Sequence, residues 1–466
     1  MDRMTELTTE MFLENTTEFL ARARALDCIQ DLTARQPKTI AAGARRASKG
    51  VFSNFVDGLP RMIPMIAGRA HGPFIADLDG NEFVDLDSGR GVNFLGHSSE
   101  VVTGAVGSVL GDGFTVAAGN EVETALMSLL LDTVRWAEGG FLSNSGTEAT
   151  MHALKLARAF TGRPHVAVFE NSYHGHHNDV FVTRLPDGST RPGMPGVAPS
   201  VASSTTVLPY DERAFEVISA RASDLACVIV EPIRSSFPRF DREFLVGLRQ
   251  VTMEHGVVLA FDETLSGFRF RFGGAVDEDG ITPDLATFGK IIGGGLPIGA
   301  TLGRSEIMKM AVTSGEIQRD IQTRTHVLGT FCGNVVACTA GLAQLEYLRD
   351  HQDEVYGSIG AAADRFAGHL ERLRDEEGYP IVLRRYESLV RPFFGAMSPD
   401  NFAAFGHPDR NVVAEYMWTY YLRAAGVHLP ELLYPFFTYA HTADIMDAVC
   451  DAVTESFAGL RKDGFW

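Results

Sequence analysis

The chain has 466 residues, 45% of them hydrophobic and 21% charged, with a formal net charge of −18. That length allows one large domain of about 250 residues and a smaller one. The negative charge argues against nucleic acid or an anionic membrane as partner, because both repel it. No apolar run reaches the roughly 18 residues of a membrane-spanning helix.

Residues 1–50 predict one or two surface helices. The opening MDRMTELTTEMFLENTTEFL is acidic and amphipathic, so it does not read as a secretory signal. FIADLDGNEFVDLD (74–87) predicts two short strands around an Asp79-Gly80 turn. SGRGVNFLGHSS follows, with Arg90 between two glycines.

The stretch 141–160, FLSNSGTEATMHALKLARAF, predicts an amphipathic helix on the spacing of Met151, Leu154, Ala157 and Phe160. Ser145, Gly146 and Thr147 stand at its start. Hydroxyls and a glycine at a helix N-terminus offer donors at the positive end of the dipole and suit a phosphate, although they also make an ordinary cap.

Four short apolar runs then alternate with helix-length segments: VAVF (166–169), CVIV (227–230), VVLAF (257–261) and LATF (285–288). This pattern predicts parallel strands covered on both faces, an α/β fold. Residues 178–203, rich in Pro and Gly, predict a long loop. Beyond residue 345 the chain turns charged and helical (AADRFAGHLERLRDEEG), which predicts a smaller α+β domain. The expected divisions are 1–90 joining the small domain, 91–345 as the large domain, and 346–466.

Ligands of open α/β sheets bind beyond the carboxyl ends of the strands. CVIV runs into Glu231, VVLAF into Asp262, and LATF into Gly289-Lys290, one of six lysines in the chain. Each residue alone is ordinary: a lysine ending a strand is usually solvated, and an aspartate there usually forms a turn. Together, a lysine, acids and a phosphate cradle are what pyridoxal 5′-phosphate needs. The lysine forms the Schiff base, an acid pairs with the pyridine nitrogen, and donors hold the phosphate.

Other chemistries fit less well. The five cysteines (28, 227, 332, 338, 450) form no CxxC pair and read as buried free thiols of a soluble protein in a reducing compartment, the cytoplasm. His176 and His177 are adjacent and lack a third ligand, so no metal is expected. Gly293, Gly294, Gly295 and Gly299 do not give GxGxxG, and no GK[ST] follows.

Taken together, NSGTEAT (144–150), YHGHH (173–177), VIVEP (228–232), FDETLSGFR (261–269), PDLATFGKIIGGGLPIGA (283–300), GTFCGN (329–334) and FTYAHT (437–442) resemble the class III (ornithine-type) aminotransferases. The similarity is greatest to the branch of glutamate-1-semialdehyde 2,1-aminomutase. The resemblance implies fold type I, with a mostly parallel seven-stranded sheet in the large domain. It implies Lys290 as the Schiff-base lysine and proton shuttle, and Asp262 as the partner of the pyridine nitrogen. Ser145, Gly146 and Thr147 would bind phosphate, with Thr264 a further cofactor contact. Tyr173 would stack on the ring with His174 beside it, and Glu231 would stand near the ring edge. Thr330 would reach the phosphate of a neighbouring subunit, which implies a homodimer.

This chain departs from the aminomutase pattern in several places. The strand acid is followed by IRSSFPRF rather than Pro-Val-Ala-Gly-Asn, placing Ser236 at the asparagine and adding Arg234 and Arg239. Thr264 replaces a valine, Ser266 a threonine, and Arg90 an aromatic residue. Arg90, Arg234 and Ser236 are therefore the expected substrate contacts, with Arg90 offering a carboxylate fork and Arg234 competing for that role. The expected reaction moves an amino group between a small amino acid or amino ketone and a keto acid. An intramolecular aminomutase and a racemase or epimerase remain open beside it. A non-catalytic scaffold would have lost Lys290 or Asp262.

Overall fold

The computed structural model describes residues 9–48, 62–116, 118–275, 280–396 and 409–466. The chain divides into two compact units, Met1–Ser99 with Glu354–Trp466, and Glu100–Asp353.

The unit Glu100–Asp353 is built on one seven-stranded sheet. In spatial order its strands are Gly139–Ser143, Gly299–Gly303, Leu285–Phe288, Val258–Asp262, Leu225–Val230, His165–Phe169 and Thr205–Leu208. Only Gly299–Gly303 runs against its neighbours. The inner strands are buried along their whole length, as continuous Val/Ile/Leu runs require when helices cover both faces. Parallel strands end on one edge, so Glu231, Asp262 and Lys290 emerge together.

Three local expectations change. Residues 141–160 are not one helix: Gly139–Ser143 is a strand, and the helix runs Gly146–Thr161. Its buried stripe holds Ala153, Leu154, Leu156 and Ala157, whereas Phe160 is 43% exposed. A three-residue spacing drifts around a 3.6-residue helix and leaves the buried face by its fourth member. The stretch 178–203 carries its own hairpin, Val182–Arg184 with Thr190–Pro192, and a short helix Pro199–Ala202.

The other unit holds a four-stranded sheet (Ala67–His71, Phe74–Asp77, Glu82–Asp85, Val427–His428) and the pair Ile381–Tyr386 with Leu389–Phe394. Long helices Gln352–Glu377, Val412–Ala424 and Ala443–Lys462 accompany them. The expected one or two surface helices at the N-terminus are four: Thr9–Glu14, Thr16–Ala23, Asp27–Arg35 and Pro37–Ser48; residues 1–8 and 49–50 of that stretch lie outside the described residues. They bury Phe12, Phe19, Ile29 and Leu32, with Phe12 and Phe19 packed on Tyr416. Among the described residues no helix is long and apolar enough to cross a membrane.

Candidate active site

Lys290 follows the strand Leu285–Phe288 by two residues and opens a short 3-10 turn, Lys290–Gly293. Its φ is +49°, left-handed for a non-glycine residue, at a cost of about 1–2 kcal/mol. The helix Val335–Asp350 over-determines that turn: Gln344 donates from Nε2 to the Ile291 carbonyl at 2.5 Å. A Cβ at Gly341 would stand 2.1 Å from the Ile292 carbonyl oxygen, so only glycine allows this close approach. Burial pushes the Lys290 amine down to about 8; the charge of Asp262 resists this, Arg269 adds to it, and Glu231 resists it.

Asp262 ends its strand, buried, and its register neighbour in the next strand is Thr287. Oδ1 accepts from the Thr264 amide at 3.0 Å and the Thr287 hydroxyl at 3.1 Å. Oδ2 lies 2.8 Å from His174 Nδ1. Burial alone would raise this carboxyl; the hydrogen bond and charge of His174, with the Thr264 amide, outweigh it and hold the pKa below its ordinary value.

Glu231, buried at the end of Leu225–Val230, behaves oppositely. Burial raises its carboxyl, against the charge of His174, and the nearby Asp262 raises it further. Two buried carboxyls in one site are thereby pushed toward different protonation states.

Ser145 is the N-cap of the helix Gly146–Thr161, its hydroxyl oxygen accepting from the Glu148 amide at 3.1 Å. The hydroxyl proton stays available to donate, and the amides of Gly146 and Thr147 are among those a helix leaves without an internal partner. Thr264 brings this terminus to the lysine turn. Its Cγ2 would be 2.6 Å from a Cβ on Gly146 and 3.0 Å from one on Gly289.

The remaining expected residues lie as follows. Tyr173 is 57% exposed, edge-on to Phe181. Thr330 is exposed in the GTFCGN turn, where Cys332 Sγ accepts from the Gly329 amide at 3.2 Å. Asn144 Nδ2, 3.7 Å from that sulfur, ties the turn to the cap of the phosphate-type helix. Arg234 lies with its guanidinium carbon 3.9 Å from the ring centroid of Tyr210, and Ser236 shares its short hairpin. Arg90 belongs to the other unit. There Ser88, Gly89, Arg90 and Gly91 all have left-handed φ (48°, 67°, 63°, 76°), and Arg90 Nη1 is 3.6 Å from Asp87 Oδ1.

Sequence reasoning missed Thr287 and Tyr210. Thr287 needs the strand register to be known. Tyr210 follows the strand Thr205–Leu208 by two residues, so the rule of strand carboxyl ends would have found it.

The residues present fit pyridoxal phosphate. His174 Nε2 is a buried polar atom without a hydrogen-bond partner, on the ring that holds Asp262, which points to a polar group in the bound state. The helix terminus supplies anion donors, and the lysine is a buried amine of depressed basicity. Among the described residues no group of three or more His, Cys, Asp or Glu is placed to hold a metal ion.

Comparison with known proteins agrees with this geometry. The family model "Aminotransferase class-III" matches residues 58–386. A glutamate-1-semialdehyde 2,1-aminomutase of Rhodopirellula baltica is 34% identical over 407 residues, 85% of this chain and 90% of that protein. An omega-transaminase from Sphaerobacter thermophilus superposes with a TM-score of 0.83 at 28% identity, covering 92% of this chain and 99% of that one. A beta-phenylalanine aminotransferase from Variovorax paradoxus gives 0.82 at 25%, covering 95% and 98%. The chain belongs to the class III aminotransferases, enzymes that depend on pyridoxal phosphate.

Proposed function

We propose that this enzyme moves an amino group between a small amino acid or amino ketone and a keto acid, with Lys290 as the covalent anchor of the cofactor. The observation that carries the reading is one buried cluster of Lys290, Asp262, His174 and Glu231 at the strand ends, beside a capped helix terminus. Pyridoxal phosphate, when bound, supplies an electron sink for the substrate carbon. Lys290, its amine freed, would carry a proton between that carbon and the cofactor. A basicity lowered to about 8 keeps a useful fraction of it neutral near pH 7–8. Asp262, ionised and held by His174, keeps a proton on the ring nitrogen. Ser145 and the amides of Gly146 and Thr147 grip the phosphate. Tyr173 would stack on the ring, Thr264 would be a further cofactor contact, and Glu231 would stand near the ring edge. Arg234 and Ser236, on the hairpin after Glu231, contact substrate.

The assembly we propose is a homodimer with Thr330 completing the partner's phosphate site. Support comes from the exposure of Leu328 (66%) and Phe331 (59%) on either side of Thr330, and of Phe114 (52%). Asn334 Nδ2 ties their loops by donating to the Phe114 carbonyl at 2.8 Å. Apolar side chains gathered around a functional turn call for a cover. A cytoplasmic location is consistent with five free thiols.

The name shared by the 34% identical relative favours a second reading, an intramolecular aminomutase. Incubation with single amino compounds, with and without a keto acid, tests both. The transaminase reading expects the cofactor's visible absorbance to be lost once and then stay lost until a keto acid is added. Steady turnover of one amino compound alone establishes the mutase instead. Absence of any absorbance change with every amine overturns both.

A further inference from the structure

His174 reaches Asp262 from the stretch between the strand His165–Phe169 and the 3-10 turn Asn178–Val180, which holds neither helix nor strand. Two contacts fasten that stretch to the helix Gly146–Thr161. Gly175 has a left-handed φ of 92°, and a Cβ there would stand 2.6 Å from Thr147 Oγ1 and 2.8 Å from Thr147 Cα, so the backbone lies directly on the first helical turn. In the second turn, the buried Thr150 hydroxyl lies 2.7 Å from the His174 carbonyl, 3.0 Å from the Thr147 carbonyl and 3.3 Å from His177 Nε2. A hydroxyl has one proton to donate and two lone pairs to accept with. Burial pushes the His177 ring down to about 4; Asp179 resists this, and His174, Arg158 and His176 add to it, so the ring is neutral near pH 7. With its proton on Nε2, that ring donates to the Thr150 oxygen and leaves the hydroxyl proton for the His174 carbonyl, the nearer of the two acceptors.

We infer that Thr150 is a positioning residue of the cofactor site: its hydroxyl, directed by His177, holds the His174 backbone so that the His174 ring meets Asp262. The inference rests on the reading above, in which Asp262 pairs with the ring nitrogen of the cofactor. Thr150 acts through His174, whose Nδ1 stands 2.8 Å from Asp262 Oδ2. Asp262 needs no such help with its own backbone, because it ends a buried strand paired on both sides. His174 lacks that support, so a side chain from the helix supplies it. One helix thereby carries the phosphate donors at its start and, a turn later, the hydroxyl that aims the partner of the ring-nitrogen acid. The titratable groups around Asp262 are His174, Lys290, Glu231 and Tyr173. Against burial, His174 is the foremost of the influences that hold the Asp262 carboxyl below its ordinary value. A bond between a hydroxyl and a carbonyl has no charge to titrate. Its removal depends on pH only where the loss is passed on to such a group.

Thr150→Val keeps the shape and removes the hydroxyl; Thr150→Ser keeps the hydroxyl. Melting of the cofactor-free proteins gives the first readout. Thr150→Val should melt roughly 2–6 °C lower at neutral pH, the cost of a buried carbonyl left without its donor, and Thr150→Ser should recover most of that. Asp262 stabilises the fold fully above its ordinary 3.8 and loses this as pH falls through its lower folded value. Raising the folded value forfeits part of that stabilisation at neutral pH, so the deficit of Thr150→Val should narrow as the pH drops toward about 4. In a His174→Phe background the deficit should be smaller and the narrowing absent, whereas a direct effect on His177 would persist there. The second readout is the affinity of the stripped proteins for pyridoxal phosphate and for 1-deazapyridoxal phosphate, in which CH replaces the ring nitrogen. Thr150→Val should weaken binding of the first by roughly 3- to 30-fold, within the range of coupled members of one hydrogen-bond network, and leave the second within a few-fold of wild type. Additive melting losses, a deficit equal at every pH, equal weakening of both cofactors, or a Thr150→Ser protein as impaired as Thr150→Val overturns the inference. A wild type that binds both cofactors equally well condemns the role read for Asp262 instead, and the melting series still judges Thr150.

Discussion

Replacing His174 with phenylalanine keeps a buried ring and removes one donor. His174 Nδ1 stands 2.8 Å from Asp262 Oδ2, and the two residues are 3% and 4% exposed. Asp262 Oδ1 retains the Thr264 amide and the Thr287 hydroxyl. Oδ2 loses the one donor described for it. A hydrogen bond to a charged group contributes about 1.5–3 kcal/mol, and breaking a buried charged pair costs about 3–5 kcal/mol. A loss of ~3 kcal/mol follows, and it moves the Asp262 carboxyl upward. The pH dependence has a definite sign. In the wild type the folded pKa lies below the ordinary 3.8, so the stabilisation is complete above that value and disappears as pH falls through the lower folded pKa. In the variant the folded pKa is higher than in the wild type, so the carboxyl takes up its proton earlier on acidification. The penalty is then full at neutral pH and fades as the pH drops toward about 4. Melting of the cofactor-free protein reads the effect. At about 2 °C per kcal/mol for a unit of this size, the variant should melt roughly 6 °C lower at neutral pH. A difference below about 1 °C, or one that widens on acidification, refutes the argument.

Lys290→Ala is expected to abolish turnover while the protein folds and retains pyridoxal phosphate through the helix terminus. Borohydride reduction of the loaded wild type followed by peptide mapping should mark Lys290, and a mark on any other lysine refutes the assignment. Uptake of cofactor by stripped wild-type protein should quicken with rising pH and level off above about 8, where burial places the Lys290 amine; a rate that is flat across that value counts against a neutral-amine nucleophile. Asp262→Asn should keep the visible band and lose about 10²- to 10⁴-fold in turnover, so activity within a few-fold of wild type removes Asp262 from the role. Light scattering should give at least a dimer, and an active monomer contradicts the part proposed for Thr330.

Much of the candidate site's placement was legible in the sequence because parallel strands announce themselves twice. Their interiors are uninterrupted apolar runs, and the first polar residue after each run marks the edge where ligands bind. That rule singles out Glu231, Asp262 and Lys290, which the parallel strands bring to one edge, and the chemistry of a helix start singles out Ser145, which is the N-cap of Gly146–Thr161. What stayed hidden depends on pairings between distant segments. Thr287 reaches Asp262 only because the register sets it opposite, and Tyr210 matters only because the 233–240 hairpin folds over it. The N-terminal helices were read as surface elements because nothing in 1–50 reveals that Tyr416 would receive Phe12 and Phe19. The left-handed backbone of Ser88 and Arg90 was equally invisible, since the glycines beside them hint at a turn but not at its hand.

The division of labour between the two buried acids shows most sharply where sequence stops and structure begins. Glu231 and Asp262 each stand at the end of an apolar strand, and composition gives no reason to move their basicities in opposite directions. Burial opposes the charge of both. The outcome turns on donors. Asp262 receives His174, an amide and a hydroxyl, which together exceed the cost of burial, and its negative charge then makes ionisation of Glu231 still less favourable. In the role proposed for Asp262, a carboxylate that stays charged beside a ring nitrogen is served by those three bonds. A carboxyl that borders the substrate without repelling an anion is better left neutral.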